Sequence, residues 1–169
     1  MIYGYSIDVI YSLIYARKKG KTFTIYLAKG ENDDSNKICE ILQKNDIKCI
    51  LVSGISIMLY LKDIDFILTG ADAICENGGI INKVGTHTIS ICSKQYSKPF
   101  YVLVSSLKYI KMYIMEQKDL NNINEKYSTN NNGIVDYTPP EFITTFFTDK
   151  GIFLPYAICD EIIKLFYNI

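Results

Sequence analysis

Asp72, Asn82 and Lys83 stand within twelve residues of one another and are the side chains through which this chain could act on a small molecule. Moving hydrogen between adjacent carbons needs a base poised over the substrate, and a carboxylate such as Asp72 can be that base. An amide and an ammonium suit hydroxyl and phosphate oxygens. The plainer account of each is open too: Asp readily caps a turn through backbone N–H groups, and a lysine in a loop can simply face solvent.

The segment that holds them is Gly70 to Thr86, reading GADAICENGGIINKVGT. Ile64 to Thr69, just before it, has the length and apolar content of a buried parallel strand. Gly70 and Asp72 therefore fall beyond a strand's carboxyl end, where open α/β sheets bind ligands. Gly78 and Gly79 free the backbone to turn, and Asn82, Lys83, Gly85 and Thr86 lead into a helix whose amino terminus attracts anions. Glycine-rich strand-to-helix loops are common, and many only make a turn.

The longer strings are more specific. Glu76-Asn77-Gly78-Gly79-Ile80-Ile81-Asn82-Lys83, Lys98-Pro99-Phe100-Tyr101-Val102, Val135-Asp136-Tyr137-Thr138, Phe147-Thr148-Asp149-Lys150-Gly151 and Asp160-Glu161-Ile162-Ile163-Lys164-Leu165 follow one another along the chain. Together they resemble a family that holds the alpha, beta and delta regulatory subunits of translation initiation factor 2B. It also holds two sugar-phosphate isomerases, of methylthioribose 1-phosphate and of ribose 1,5-bisphosphate. The carboxyl-terminal strings are similar to the alpha branch almost position for position, and the resemblance covers essentially the whole chain.

That resemblance implies a Rossmann-like three-layer α/β fold with a mostly parallel sheet, as a single domain over residues 1–169. It corresponds to the family's carboxyl-terminal domain, with the amino-terminal helical domain of full-length members absent. It implies a non-catalytic regulatory subunit of the guanine nucleotide exchange factor for initiation factor 2, sensing the phosphorylated form. The implied partners are a second copy of the chain, the other subunits of initiation factor 2B and the phosphorylated alpha subunit of initiation factor 2. Asp72 aligns with the acid that the isomerases use in proton transfer, and Asp72, Asn77, Asn82 and Lys83 would form a vestigial sugar-phosphate site. The isomerases place a cysteine in the loop that resembles Tyr3-Gly4-Tyr5-Ser6, where this chain has Gly4. Their phosphate-gripping arginines lie partly in the amino-terminal region. A sugar-phosphate isomerase, or a sugar-phosphate-binding module, is the alternative. Phe142, Phe146, Phe147, Phe153, Leu154 and Tyr156 crowd into fifteen residues, and the family's pairing as homodimers makes them interface candidates.

Composition is consistent with recognition by shape. Eighteen basic side chains balance eighteen acidic ones, so bulk charge draws the chain neither to nucleic acid nor to an anionic membrane. Lys108, Tyr109, Lys111 and Tyr113 interleave basic and aromatic character, but a half-buried surface segment explains them better than RNA stacking. Cys39, Cys49, Cys75, Cys92 and Cys159 show no CxxC pair and are odd in number, which suits reduced thiols; with only His87 beside them no metal site is expected. No cofactor is expected either. Cys75 reads as a small apolar filler, and His87 receives no role. No apolar run reaches the roughly 20 residues of a membrane span and no leader pattern opens the chain, so the expectation is a soluble cytoplasmic protein.

The elements that must position the site follow from periodicity. Ile7, Ile10, Tyr11 and Ile14 predict a helix over residues 5–19 with that face buried, ended by Gly20. Thr22 to Leu27 and Cys49 to Val52 predict strands, with a helix from Asp34 or Ser35 to Lys44 between them. Ser53 to Leu61 predicts a short helix, Thr86 to Tyr96 a longer one, and Phe100 to Val104 the next buried strand. Strands and helices alternating at this spacing imply a parallel sheet. Ser105 to Asp136 reads as irregular, with a solvated loop at Asn121 to Asn132. Thr138 predicts the cap of a helix that buries Phe142, Ile143 and Phe146, and a last helix runs from Pro155 through Phe166.

Overall fold

The computed structural model describes residues 1–30, 34–120 and 135–167. Its main sheet has seven strands in the order β3 (Lys48–Ser53), β2 (Thr24–Lys29), β1 (Ile2–Tyr3), β4 (Ile67–Thr69), β7 (Phe100–Leu103), β9 (Thr145–Thr148) and β10 (Gly151–Phe153). All neighbours are parallel except β10, which returns antiparallel to β9. The order reverses at β1: Ile2 pairs with Leu27 of β2 on one side and with Leu68 of β4 on the other. The carboxyl ends of β1 and β4 therefore flank the crevice that this topology opens for ligands.

Alternation along the strands explains the layers. Ile2, Ile25 and Leu27 point to one face and pack beneath α1 (Ile7–Lys18) and α2 (Ser35–Gln43). Tyr3, Ala28, Ile67 and Val102 point to the other, with Ile89 of α3 (Thr86–Gln95) and Ile158 and Ile162 of α4 (Pro155–Tyr167). The mostly parallel, three-layer α/β architecture expected from the sequence is present.

Four local readings are corrected. The segment Gly70–Thr86 is not a plain loop but contains a hairpin, β5 (Ala73–Ile74) and β6 (Ile80–Lys83), joined to β8 (Val135–Thr138) as a second, antiparallel sheet. Thr138 is therefore the end of a strand and not a helix cap. Only a 3₁₀ turn, Pro140–Phe142, follows it, and Phe146 lies in β9; the β-branched and aromatic run Thr144 to Thr148 outweighs the helical spacing. In α1 the buried side chains are Val9, Ile10 and Leu13, while Ile7 and Tyr11 are exposed. That helix has apolar residues on two faces, and periodicity alone does not say which meets the sheet. The Asn121–Asn132 reading lies outside the described residues.

Candidate functional site

Asp72 stands three residues past Thr69, at the carboxyl end of β4, and its carboxylate lies 3.3 Å from the Lys83 ammonium on β6. The hairpin brings them together: Asp72 N donates to Ile81 O at 2.9 Å, which fixes β6 alongside the strand exit. Both side chains are about half exposed, so the ion pair orients groups at a crevice mouth more than it stabilises the fold.

Asn82 faces inward and is buried. Its Nδ2 donates to Thr69 Oγ1 at 3.2 Å and to Thr86 Oγ1 at 3.1 Å; Thr69 in turn donates to Tyr3 O at 3.1 Å, and Thr86 to Lys83 O at 2.6 Å. This chain of bonds ties β1, β4, β6 and α3 into one rigid floor under the Asp72–Lys83 pair. Asn77 serves elsewhere: at the hairpin turn its Nδ2 donates to Tyr137 Oη at 2.8 Å and to Ile114 O. Of the four sequence candidates, the structure joins Asp72 and Lys83 directly, puts Asn82 behind them and sends Asn77 into the second sheet.

The crevice is narrow where β1 leaves the sheet. A Cβ on Gly70 would come within 2.5 Å of Ser6 Oγ, the residue that caps α1 by accepting from Val9 N at 3.5 Å. Gly4 has φ of +72°, a conformation in which an L side chain is strained, and nothing lies within 4 Å of the space its Cβ would take. Beside it, a cavity of about 570 Å³ is lined by Tyr3, Ser53, Ile57, Met58, Thr88 and Ile89 among others, within the size range of small-molecule sites.

The amino end of α3 is already occupied. Asp136 of β8 is buried, and its Oδ2 accepts from Gly85 N at 2.7 Å and His87 N at 3.0 Å, so the anion at this helix end is the protein's own carboxylate. Burial raises the Asp136 carboxyl to about 6, against the opposing pull of the His87, Gly85 and Thr86 N–H groups. In the sequence Asp136 stands out only within a family string, because the fifty residues separating it from α3 hide the contact. Lys108, which the sequence places in a half-buried surface segment, reaches the strand exit: its Nζ donates at 2.7 Å to the carbonyl of Ala71, the residue before Asp72.

Cys75 and His87 are both held by packing. Burial pushes the Cys75 thiol up to about 12, the state of an inert filler. His87 packs edge-on to Phe142 at 5.3 Å, and burial lowers its pKa although Glu141 acts to raise it. Among the described residues no group of three or more His, Cys, Asp or Glu could hold a metal ion, and no helix is long and apolar enough to cross a membrane.

Comparison with known proteins now separates fold from kinship. The solved structure of eIF2B beta from Chaetomium thermophilum superposes with a TM-score of 0.78 at 22% identity, over 95% of this chain and 46% of that one, which speaks for the fold alone. Translation initiation factor eIF2B subunit alpha of Dictyostelium discoideum is 34% identical over 186 residues, covering 98% of this chain and 58% of the relative. Methylthioribose-1-phosphate isomerase of Naegleria gruberi is 30% identical over 145 residues, covering 76% of this chain and 38% of the enzyme. The chain thus spans under two thirds of the length of the relatives it matches. The sequence model of the initiation factor 2 subunit family matches residues 1–155, and with the Dictyostelium relationship over nearly the whole chain this protein belongs to that family.

Proposed function

We propose that the chain is a non-catalytic regulatory subunit of the exchange factor for initiation factor 2. In this reading it acts in the cytoplasm, alongside the other subunits of that factor, and senses the phosphorylated alpha subunit of initiation factor 2. The observation that carries it is Gly4. The isomerases of the resembling family place a thiol there, whereas this backbone takes a left-handed conformation with open space at the Cβ position. Asp72 is then half of a catalytic pair, already neutralised by Lys83.

Retention of Asp72 and the relationship to an isomerase favour the enzyme as the second reading. One assay decides between them. The purified protein, incubated with methylthioribose 1-phosphate and with ribose 1,5-bisphosphate, is expected to form no ketose product above background. Turnover approaching the ~10 per second typical of enzymes would establish the isomerase instead.

A vestigial sugar-phosphate site at Asp72, Asn82 and Lys83 belongs to the same proposal, as does self-association. Phe146 is fully buried and closes the monomer core, while Phe147 is half-buried and meets Tyr101 edge-on at 5.5 Å. Ile152 of β10 and Tyr156 at the start of α4 are at least 70% exposed, Leu154 between them is exposed too, and the open edge of β10, which pairs only with β9, invites a second copy. Sedimentation is expected to give a dimer at micromolar concentration and a monomer for Ile152→Glu. A wild type that stays monomeric at every accessible concentration would remove the β10 edge from assembly.

A further inference from the structure

We propose that Cys39 and Cys49 are a redox-modification site, closing into a reversible intrachain disulfide when the protein meets a peroxide. Both are free thiols in the structure, and both are half-buried.

The fold brings the two sulfurs together. Cys39 lies in α2, next to the buried Ile38, and Cys49 is the second residue of β3, the strand at the open edge of the main sheet. The Cys39 thiol turns toward that edge, where its Sγ donates to Cys49 O at 3.8 Å, and both side chains border the apolar cluster of Ile38, Leu42 and Ile47. The turn that joins the two elements is well anchored. Asn45 N and Ile47 N both donate to Leu42 O, at 3.0 and 3.1 Å, Asn45 Nδ2 donates to Ile41 O at 2.8 Å, and Asp46 takes a φ of +57° between them. Ile47, 2% exposed, pins the far end, so the cysteines are held side by side. Among the described residues no other two cysteines border one cluster: Cys75 sits in the core of the second sheet, Cys92 against the core that holds Ile89, and Cys159 donates to Pro155 O at 3.5 Å.

Exposure and acidity set the order of events. A molecule the size of hydrogen peroxide can reach a half-buried thiol, whereas Cys75 is closed off at 0% exposure. Burial and the neighbouring Cys39 thiol push Cys49 up to about 12, so Cys49 keeps its proton and Cys39 is the sulfur that reacts first. The Cys39 thiolate attacks one peroxide oxygen, the O–O bond breaks, hydroxide leaves, and Cys39 becomes a sulfenic acid. The Cys49 sulfur then attacks the Cys39 sulfur; the S–S bond forms, the S–O bond breaks, and the departing hydroxide takes the Cys49 proton to become water. Two thiols have then lost two electrons and two protons, and one peroxide has been reduced to two waters. A dithiol reductant reverses the bond by exchange. The bond ties α2 to an edge strand that pairs only with β2 and whose last residue, Ser53, lines the cavity beside Gly4.

The test treats the reduced wild-type chain with hydrogen peroxide, alkylates the remaining thiols and maps the unreduced peptides by mass spectrometry. The expected result is a Cys39–Cys49 link with a loss of about 2 Da, reversed by dithiothreitol, while Cys75 is still alkylated. The melting temperature should rise by about 5 °C on oxidation, because the bond closes a loop between positions ten residues apart in the unfolded chain. In Cys49→Ser the reaction should stop at a sulfenic acid on Cys39, captured by dimedone, and in Cys39→Ser the Cys49 thiol should remain alkylatable at the same dose. Wild type whose Cys39 and Cys49 both stay alkylatable at a peroxide dose that oxidises free cysteine would overturn the proposal. Links that join other cysteines, or two chains, in place of this pair would overturn it as well.

Discussion

Gly85→Ala is expected to lower stability by about 3 kcal/mol. Two costs combine. Gly85 has φ of +102°, which an L residue adopts only with strain of about 1–2 kcal/mol. Its new Cβ would also strike the Tyr3 hydroxyl, which is held by a hydrogen bond to Val84 O inside a ring pocket that leaves Tyr3 only 5% exposed. Gly20→Ala separates the two, since Gly20 has φ of +80° with nothing within 4 Å of its Cβ position, and strain alone should cost about 1 kcal/mol there. Urea unfolding of both variants, and of Gly85→Ala combined with Tyr3→Phe, is the measurement. Equal destabilisation at Gly20 and Gly85, with no recovery in the double variant, would show that the Tyr3 contact is not limiting.

Asp136 should make stability fall as pH rises through the mildly acidic range. Its carboxyl is raised to about 6 in the folded protein from an ordinary value of 3.8, so the native state holds this proton more tightly than the unfolded chain. The resulting stabilisation is complete below the unfolded value and is lost as pH climbs through about 6; it amounts to ~3 kcal/mol across that window. Asp136→Asn keeps an acceptor for Gly85 N and His87 N and removes the titration. Plotted from pH 4 to pH 7, the stability of wild type minus that of Asp136→Asn is expected to slope downward and then level off. A flat difference would mean that burial does not perturb this carboxyl.

Much of this fold could be read from local pattern because parallel strands announce themselves. Thr24–Lys29, Lys48–Ser53 and Phe100–Leu103 each fall within two residues of the expected runs, which are rich in β-branched, aliphatic and aromatic side chains. Asp72 and Lys83 were legible as a pair of chemical types, but their contact depends on the hairpin. Its signal is Asn77-Gly78-Gly79 between two short apolar stretches, whose glycines mark a turn without showing that the stretches on either side pair. Nothing local marks Asp136 as the cap of α3 or Lys108 as the donor to Ala71. Both contacts join distant segments, and a lysine's reach depends on where the turn beneath it is anchored. In α1, tyrosine counts as apolar in a periodic stripe yet tolerates water through its hydroxyl, so Tyr11 turns the expected face toward solvent.

The register of β6 on β8 also bears on the order in which the molecule can assemble. Ile80 pairs with Thr138 and Lys83 with Val135, so the hairpin gains its second neighbour only after a long stretch of chain has been closed into a loop. Closing such a loop is entropically unfavourable before the contacts that reward it exist, which places completion of the crevice late in folding. All four residues of β8 are buried, and the cap on α3 arrives with them. A chain cut before Val135 would keep every residue from Asp72 to Lys83 and would still lack the scaffold that holds them in place.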